Sequence, residues 1–441
     1  MGRKSRTRRL AIWMNGELVG SWSVDAGGRH ELGYSAQWLE SSSARPLSLS
    51  LPLRSPGTPY RGEIVQCFFD NLLPDSQDIR RRFQRRFGTP TTQPFDLLSE
   101  IGRDCAGAIQ LLPPDLHPQG LHSIDAEPLK DVDIERLLRM VVLPPALGQR
   151  DEDPFRISIA GAQEKTALLR WNGQWHRPRG ATPTTHIFKL PLGRVGVMQA
   201  DMTSSIENEW LCSRIIGAYG LACARCNLAS FGSQRALIVE RFDRRLSRNG
   251  KWWLRLPQED MCQAMGKAPG LKYEADGGPG MQSIMSLLLG SRNAQDDRQS
   301  FFRAQALFWM LCATDGHAKN FSVFLEPGGR YTSTPLYDVL SAYPVLGHGR
   351  NRLAPEKARC AMAVVGKNRS YGWSRITRRH WLSAAAACGL GAHGESLIAD
   401  LINRTPGVIA EVSRALPVGF PGSVAESILA GLRKAADRLA G

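Results

Sequence analysis

No stretch of the chain holds about 18 consecutive apolar residues, the least a spanning helix needs, so no membrane span is expected. The basic start (Arg3, Lys4, Arg6, Arg8, Arg9) is followed by only a short apolar piece, not the long apolar core of a secretory signal; a cytoplasmic protein is expected. Cysteine supplies no framework. The nine cysteines are scattered and odd in number, and Cys223-Ala224-Arg225-Cys226 is a lone pair with no second pair and no histidine beside it. A structural zinc site needs four ligands, so ordinary thiols in a reducing compartment are expected. Internal repeats and sizeable low-complexity segments are absent as well, which sets repeat architectures aside.

Acidic residues are the minority charge: 41 against 56 basic ones, for a net charge of +15. Such a field favours anionic partners, among them nucleotide, nucleic acid or an acidic protein. The excess clusters at Arg80-Arg81-Arg82 with Arg85-Arg86, and at Arg375, Arg378 and Arg379. Clusters of this kind also occur as plain solvated faces, so contact with nucleic acid stays open here.

What is present is an ordinary globular composition, 42% hydrophobic and 22% charged, over 441 residues. That is too long for one core, so two or three domains are expected. Residues 10–24 read as a hairpin about Asn15-Gly16. Residues 63–87 are helical in pattern, with an interruption at Pro74. Pro/Gly-rich pieces at 112–120 and 144–154 read as linkers. Strands are expected at 156–159, 166–171 (turning at Asn172-Gly173), 186–190 and 237–242, and a helix at 204–219 with a capping box from Ser204 and Glu207. Beyond them helical spacing dominates, at 257–266, 281–289, 297–311 and in several segments from 381 to 439. The layout is α+β, a strand-rich half before a helical one, with a cleft between lobes.

Chemistry concentrates at Thr314-Asp315-Gly316-His317-Ala318-Lys319-Asn320, between an apolar helical run and an apolar strand. An Asp followed five residues later by an Asn is the spacing by which phosphoryl-transfer enzymes set a base and a metal-binding amide on one loop. Alone, the same spacing fits a polar loop that caps its neighbours. Other parts stand in order along the chain. The Ala160-Gly161-Ala162-Gln163-Glu164-Lys165 loop is small enough for backbone N–H groups to approach phosphates, though it is neither a Walker A nor a Gly-x-Gly-x-x-Gly loop and could be a plain hairpin turn. Lys189 lies mid-strand among apolar residues, which implies an anionic partner unless it guards an edge strand. Glu209, on the next helix, could be that partner or an exposed helical Glu. Glu240-Arg241-Phe242 connects the halves and could offer backbone groups to an adenine edge. Asp338 follows where a second metal-binding carboxylate belongs. The order matches a two-lobed kinase using ATP and Mg²⁺, an ion that takes oxygen ligands.

Several stretches closely resemble the HipA family of toxin kinases: residues 155–168 (Phe-Arg-Ile-Ser-Ile-Ala-Gly-Ala-Gln-Glu-Lys-Thr-Ala-Leu), 256–263, Asp276-Gly277-Gly278-Pro279-Gly280, and the loop at 313–324. The resemblance covers nearly the whole chain. It implies a protein-kinase-like (HipA and lipid-kinase-like) fold: an N-terminal subdomain over 1–113, an N-lobe over 114–245 and an all-helical C-terminal lobe over 246–441. It makes Asp315 the catalytic base and Asn320 and Asp338 the Mg²⁺ ligands. Residues Ala160 to Lys165, with Lys189, Glu240, Arg241, Phe242, His317, Tyr337 and Asp338, become ATP contacts, and Ser158 the serine that autophosphorylation uses to switch the enzyme off. It further implies an aminoacyl-tRNA synthetase as substrate (glutamyl-type), arrest of translation with dormancy and persistence, and a HipB-like helix-turn-helix antitoxin with which the toxin represses its operon at the operator DNA. Ala313-Thr314 before the Asp, and Asp338-Val339-Leu340 in place of Asp-Phe-Gly, depart from ordinary protein kinases; no long activation segment is evident. The alternatives are a kinase of the same fold acting on a small molecule or lipid, and a catalytically silent subunit of a repressor complex.

Overall fold

The computed structural model describes residues 7–142, 163–196 and 198–441. The hairpin expected first is there: Asn15 and Gly16 take φ of 46° and 89°, the pair of positive values a type I′ turn requires, between β1 (Arg8–Met14) and β2 (Glu17–Val24). With β3 (His30–Tyr34), β4 (Tyr60–Arg61) and β5 (Ile109–Leu112) they form an antiparallel sheet in the order β4-β3-β2-β1-β5. Helices α1 (Ala36–Glu40), α2 (Glu63–Asp70), α3 (Gln77–Phe87) and α4 (Pro94–Ile101) belong to the same unit. Pro74 falls between α2 and α3 as expected, and Ser76 accepts the Ile79 N–H to start α3. Trp22 stacks on Phe69 at 3.8 Å between ring centroids, in a core shared with Phe68 and Leu98.

The next unit is an antiparallel six-stranded sheet. Its members are β6 (Ala126–Leu129), β7 (Lys165–Trp171), β8 (Gln174–Pro178), β9 (His186–Lys189), β12 (Cys226–Phe231) and β13 (Gln234–Glu240), in the order β12-β13-β9-β7-β8-β6. A small hairpin, β10 (Gly193–Val195) and β11 (Ala200–Met202), follows β9. Helix α5 (Asp131–Val142) covers one face, burying Ile134 and Leu138 with Leu168 and Phe188. Helix α6 (Ser205–Ala218) packs across β12 and β13. The capping box expected at its start does not form, because the Glu207 carboxylate is buried against Arg235 at 2.5 Å instead. The strand expected at 156–159 lies outside the described residues.

The C-terminal lobe is helical in its mass: α7 (Met261–Ala264), α8 (Met281–Leu287), α9 (Ala294–Met310), α10 (Arg378–Ala387), α11 (His393–Arg414) and α12 (Gly422–Ala440). It is not all helix. Hairpin β14 (Arg244–Leu246) and β15 (Trp253–Arg255), the three-stranded β16 (Gln258–Asp260), β17 (Ser322–Leu325) and β18 (Tyr331–Ser333), and hairpin β19 (Arg359–Val365) and β20 (Arg369–Gly372) are set among the helices. The helix expected at 257–266 is thus divided. Gln258 and Glu259 pair with Phe324 and Val323 of β17, and Asp260 begins the short α7 with a true capping box to Gln263.

The first unit is bolted to the rest by a buried ionic cluster. Asp104 meets Arg244 (2.8 Å), Arg255 (3.2 Å) and Arg241 (3.3 Å), and Asp243 meets Arg241 (2.8 Å) and accepts the Gly107 N–H (2.7 Å). Burial alone would raise the Asp104 carboxyl, but the three guanidinium groups outweigh it and hold the group well below the usual carboxylate range. Ser48 and Ser50 also donate to the Gln263 carbonyl, and Gln263 donates to the Phe68 carbonyl. Among the described residues no helix is long and apolar enough to cross a membrane.

Candidate active site

Helix α9 delivers the catalytic-type loop. Its C-terminus is followed by Cys312 in the left-handed region (φ 49°), which turns the chain, and Ala318–Asn320 closes a single 3₁₀ turn before β17. Within the loop the Asp315 carbonyl accepts the His317 N–H (2.8 Å), and the Asn320 side-chain oxygen accepts that same N–H (3.1 Å). The Asn320 amide donates to the Asp338 backbone carbonyl (3.3 Å), so the two residues picked out as metal ligands are neighbours. Asp338 itself has φ 60°, an uncommon conformation for a residue with a side chain and one that collects at functional sites.

Lys189 is the hub opposite. Its ammonium lies 2.6 Å from Glu209 on α6 and 2.6 Å from Asp338, and the lysine is only 6% exposed. Burial would lower its pKa, but Asp338 and Glu209 outweigh burial and hold it above the ordinary lysine value. The same pairing, with Lys165, holds Asp338 low against burial, whereas burial dominates at the deeper Glu209 and raises it. Lys165 faces Lys189 directly across β7 and β9, and burial, with Lys189 adding to it, brings its amine down to about 8.

These side chains line one cavity of about 220 Å³ between the lobes, which also takes in His317, Tyr337 and residues 240–242. The Phe242 ring tilts on Tyr337 at 5.5 Å, and the Tyr337 hydroxyl donates to the Lys319 carbonyl at 2.8 Å. Arg241 turns its side chain away into the Asp104 cluster, and its N–H donates to the Thr185 carbonyl (2.9 Å). Gln163 lines the cavity and donates to the Leu190 carbonyl, while the Glu164 carboxylate turns to Arg82 of α3. Ser158, Ala160, Gly161 and Ala162 lie outside the described residues.

The description "HipA N-terminal domain" matches residues 10–112, and "HipA-like C-terminal domain" matches residues 157–409, more than half of the chain. The chain belongs to the HipA family. It is 35% identical to the putative kinase Y4mE of Sinorhizobium fredii, over 77% of this chain and 79% of that protein. To the serine/threonine-protein kinase toxin HipA of Shewanella oneidensis it is 29% identical, over 94% and 91%. The solved Shewanella HipA, in a complex with HipB and operator DNA, has a TM-score of 0.78 at 26% identity and covers 98% of this chain and 97% of that one.

The donor set of this HipA-family site fits magnesium nucleotide. Asp338 and Asn320 are neighbours that carry the hard oxygen atoms Mg²⁺ prefers, and His317, which lines the cavity, keeps a buried Nδ1 with no hydrogen-bond partner among the described residues. Among the cavity-wall residues that sequence reading missed are Asn71, Asp75, Lys272 and Gln258. It also missed Tyr273, whose hydroxyl donates to Asp315 (2.5 Å) and whose ring meets His317 edge-on at 5.2 Å. Tyr273 could have been suspected from its place just before Asp276-Gly277-Gly278-Pro279-Gly280. That segment folds back so tightly that a Cβ on Gly278 would strike the Leu271 carbonyl.

Proposed function

We propose that this chain is an ATP-dependent serine/threonine protein kinase and the toxin of a type II toxin–antitoxin pair. One observation carries the reading: Asp315, Asn320, Asp338 and the Lys189–Glu209 pair, scattered over 150 residues of sequence, line a single cavity between two lobes. In the reaction the Asp315 carboxylate accepts the proton of the incoming hydroxyl as its oxygen bonds to the γ-phosphorus and the bond to the ADP oxygen breaks. Lys189, fixed by Glu209, neutralises phosphate oxygens, and His317 and the backbone of residues 240–242 orient the nucleotide. Asn320 and Asp338 would hold Mg²⁺, which when bound neutralises charge on the phosphates.

The finer assignments rest on the family. We assign autophosphorylation to Ser158 on the family resemblance; a phosphate there would add about −1.5 to −2 charge and so oppose binding of the anionic nucleotide. We assign an aminoacyl-tRNA synthetase of the glutamyl type as substrate, and a HipB-like helix-turn-helix protein and operator DNA as partners, in keeping with the Shewanella complex. For DNA, Arg375 and Arg379 are exposed and available, whereas Arg378 is engaged by Glu395 (2.9 Å). Arg80 is buried against Asp70 and is structural. Controlled expression followed by phosphoproteomics tests the reading. A synthetase peptide gaining phosphate with wild type and not with Asp315→Gln supports it; label confined to small molecules or lipids sinks the protein-kinase assignment.

A further inference from the structure

Lys319 stands one residue before Asn320, and Lys272 one before Tyr273, on two separate loops of the C-terminal lobe. Both ammonium groups are held by the N-terminal unit. Asp75, in the link between α2 and α3, lies 2.9 Å from Lys272 through Oδ2 and 3.2 Å from Lys319 through Oδ1. Asn71, at the end of α2 and 1% exposed, accepts Lys319 through its backbone carbonyl (3.1 Å) and its side-chain oxygen (3.0 Å), and donates to the Lys267 carbonyl (2.8 Å). Asp260 adds a more distant carboxylate at 3.8 Å.

Each lysine is therefore fixed immediately beside a residue of the reaction centre: Asn320 in one case, and in the other Tyr273, which touches Asp315. One carboxylate, using its two oxygens separately, sets the spacing of the two loops. We infer that Asp75 is a positioning residue for phosphoryl transfer, supplied to the kinase site by the N-terminal unit and acting through Lys319 and Lys272. The inference rests on the kinase reading of that site. Docking of the unit does not depend on Asp75, since the Asp104 cluster and the Ser48 and Gln263 hydrogen bonds hold the interface elsewhere. Removing Asp75 thus loosens the loops and leaves the domains in place. Displacements of about 1 Å are enough to cost on the order of 10²-fold in rate.

The test uses the full chain with γ-³²P-labelled ATP, casein as acceptor, and N-methylanthraniloyl-ATP to read nucleotide affinity. Asp75→Asn is expected to lower kcat at least about tenfold while the nucleotide Kd stays within about threefold, and Asp75→Glu to regain much of the loss. Because Asp75 acts through the lysines, Asp75→Asn combined with Lys319→Met loses clearly less than the product of the single effects. Asp70→Asn, which breaks an ion pair inside the N-terminal unit with Arg80, controls for general damage. A kcat within about twofold of wild type, multiplicative effects in the double variant, or parallel loss of kcat and affinity as in Asp70→Asn overturns the inference. Should Asp75→Asn fail to fold, Lys272→Met is read by the same criteria. Wild type giving no labelled product refutes the kinase reading itself; active wild type with unaffected Asp75→Asn refutes only the positioning role.

Discussion

Lys189 shows how strongly one buried charge constrains its surroundings. A lysine inside an apolar strand is tolerable only with carboxylates in contact, and Glu209 and Asp338 both reach it at 2.6 Å. Lys189→Met leaves two facing carboxylates without their cation and is expected to destabilise the protein by about 3–5 kcal/mol. It should also abolish the stabilisation that ATP gives wild type, about 2.7 kcal/mol at a hundredfold excess over Kd; chemical denaturation with and without nucleotide reads both effects. Glu259 is a second such residue. Burial pushes its carboxyl up to about 8, against the hydrogen bond from the Leu49 N–H (2.7 Å). A raised carboxyl is protonated in the folded chain where it is ionised in the unfolded one, so its contribution is full below about pH 4.5 and is lost as pH rises through about 8. Glu259→Gln keeps the acceptor for Leu49. Relative to wild type it should gain stability between pH 5.5 and 8.5, by an amount on the order of 1–4 kcal/mol in urea titrations at the two pH values.

At the scale of elements, legibility followed how local the determining chemistry was. The Asn15-Gly16 hairpin, the break at Pro74 and the loop at 314–320 were readable because turn geometry, ring closure and Asp/Asn spacing act within a few residues. The division of 257–266 into strand and short helix was not, because it is decided by pairing with β17, some 65 residues away in sequence. The capping box at Ser204 was lost to Arg235, also distant. Asp75 escaped for the same reason: nothing near it in sequence says which loops it will touch. The Asp104 cluster is the sharpest case, since a single acid neutralises parts of three arginines that lie 137 to 151 residues downstream. Asp104→Asn strands buried guanidinium groups with only Asp243 nearby and is expected to cost about 3–5 kcal/mol, measurable by chemical denaturation. Replacing Gly278 with Ala forces a Cβ into the Leu271 carbonyl and should displace Tyr273 from Asp315, reducing phosphoryl transfer more than nucleotide affinity.

For the whole molecule, the structure joins three units around one cavity, and the N-terminal unit contributes to its walls through Asn71, Leu72 and Asp75. A chelator that strips Mg²⁺ is expected to stop transfer, and restoring the ion to recover it, since the two cavity oxygens of Asn320 and Asp338 have hard-ion character. The proposed toxin action joins the same cavity to the cell: growth arrest on expression should require Asp315, Lys189 and Asp338 alike, as measured by colony counts after induction. The most direct measurement is transfer of labelled γ-phosphate from ATP into protein, comparing wild type with Asp315→Gln. Label on a serine or threonine with wild type, reduced about 10²-fold or more in the variant, is the expected result. Equal labelling by both proteins, or none by the folded wild type with Mg²⁺ and ATP present, would contradict it.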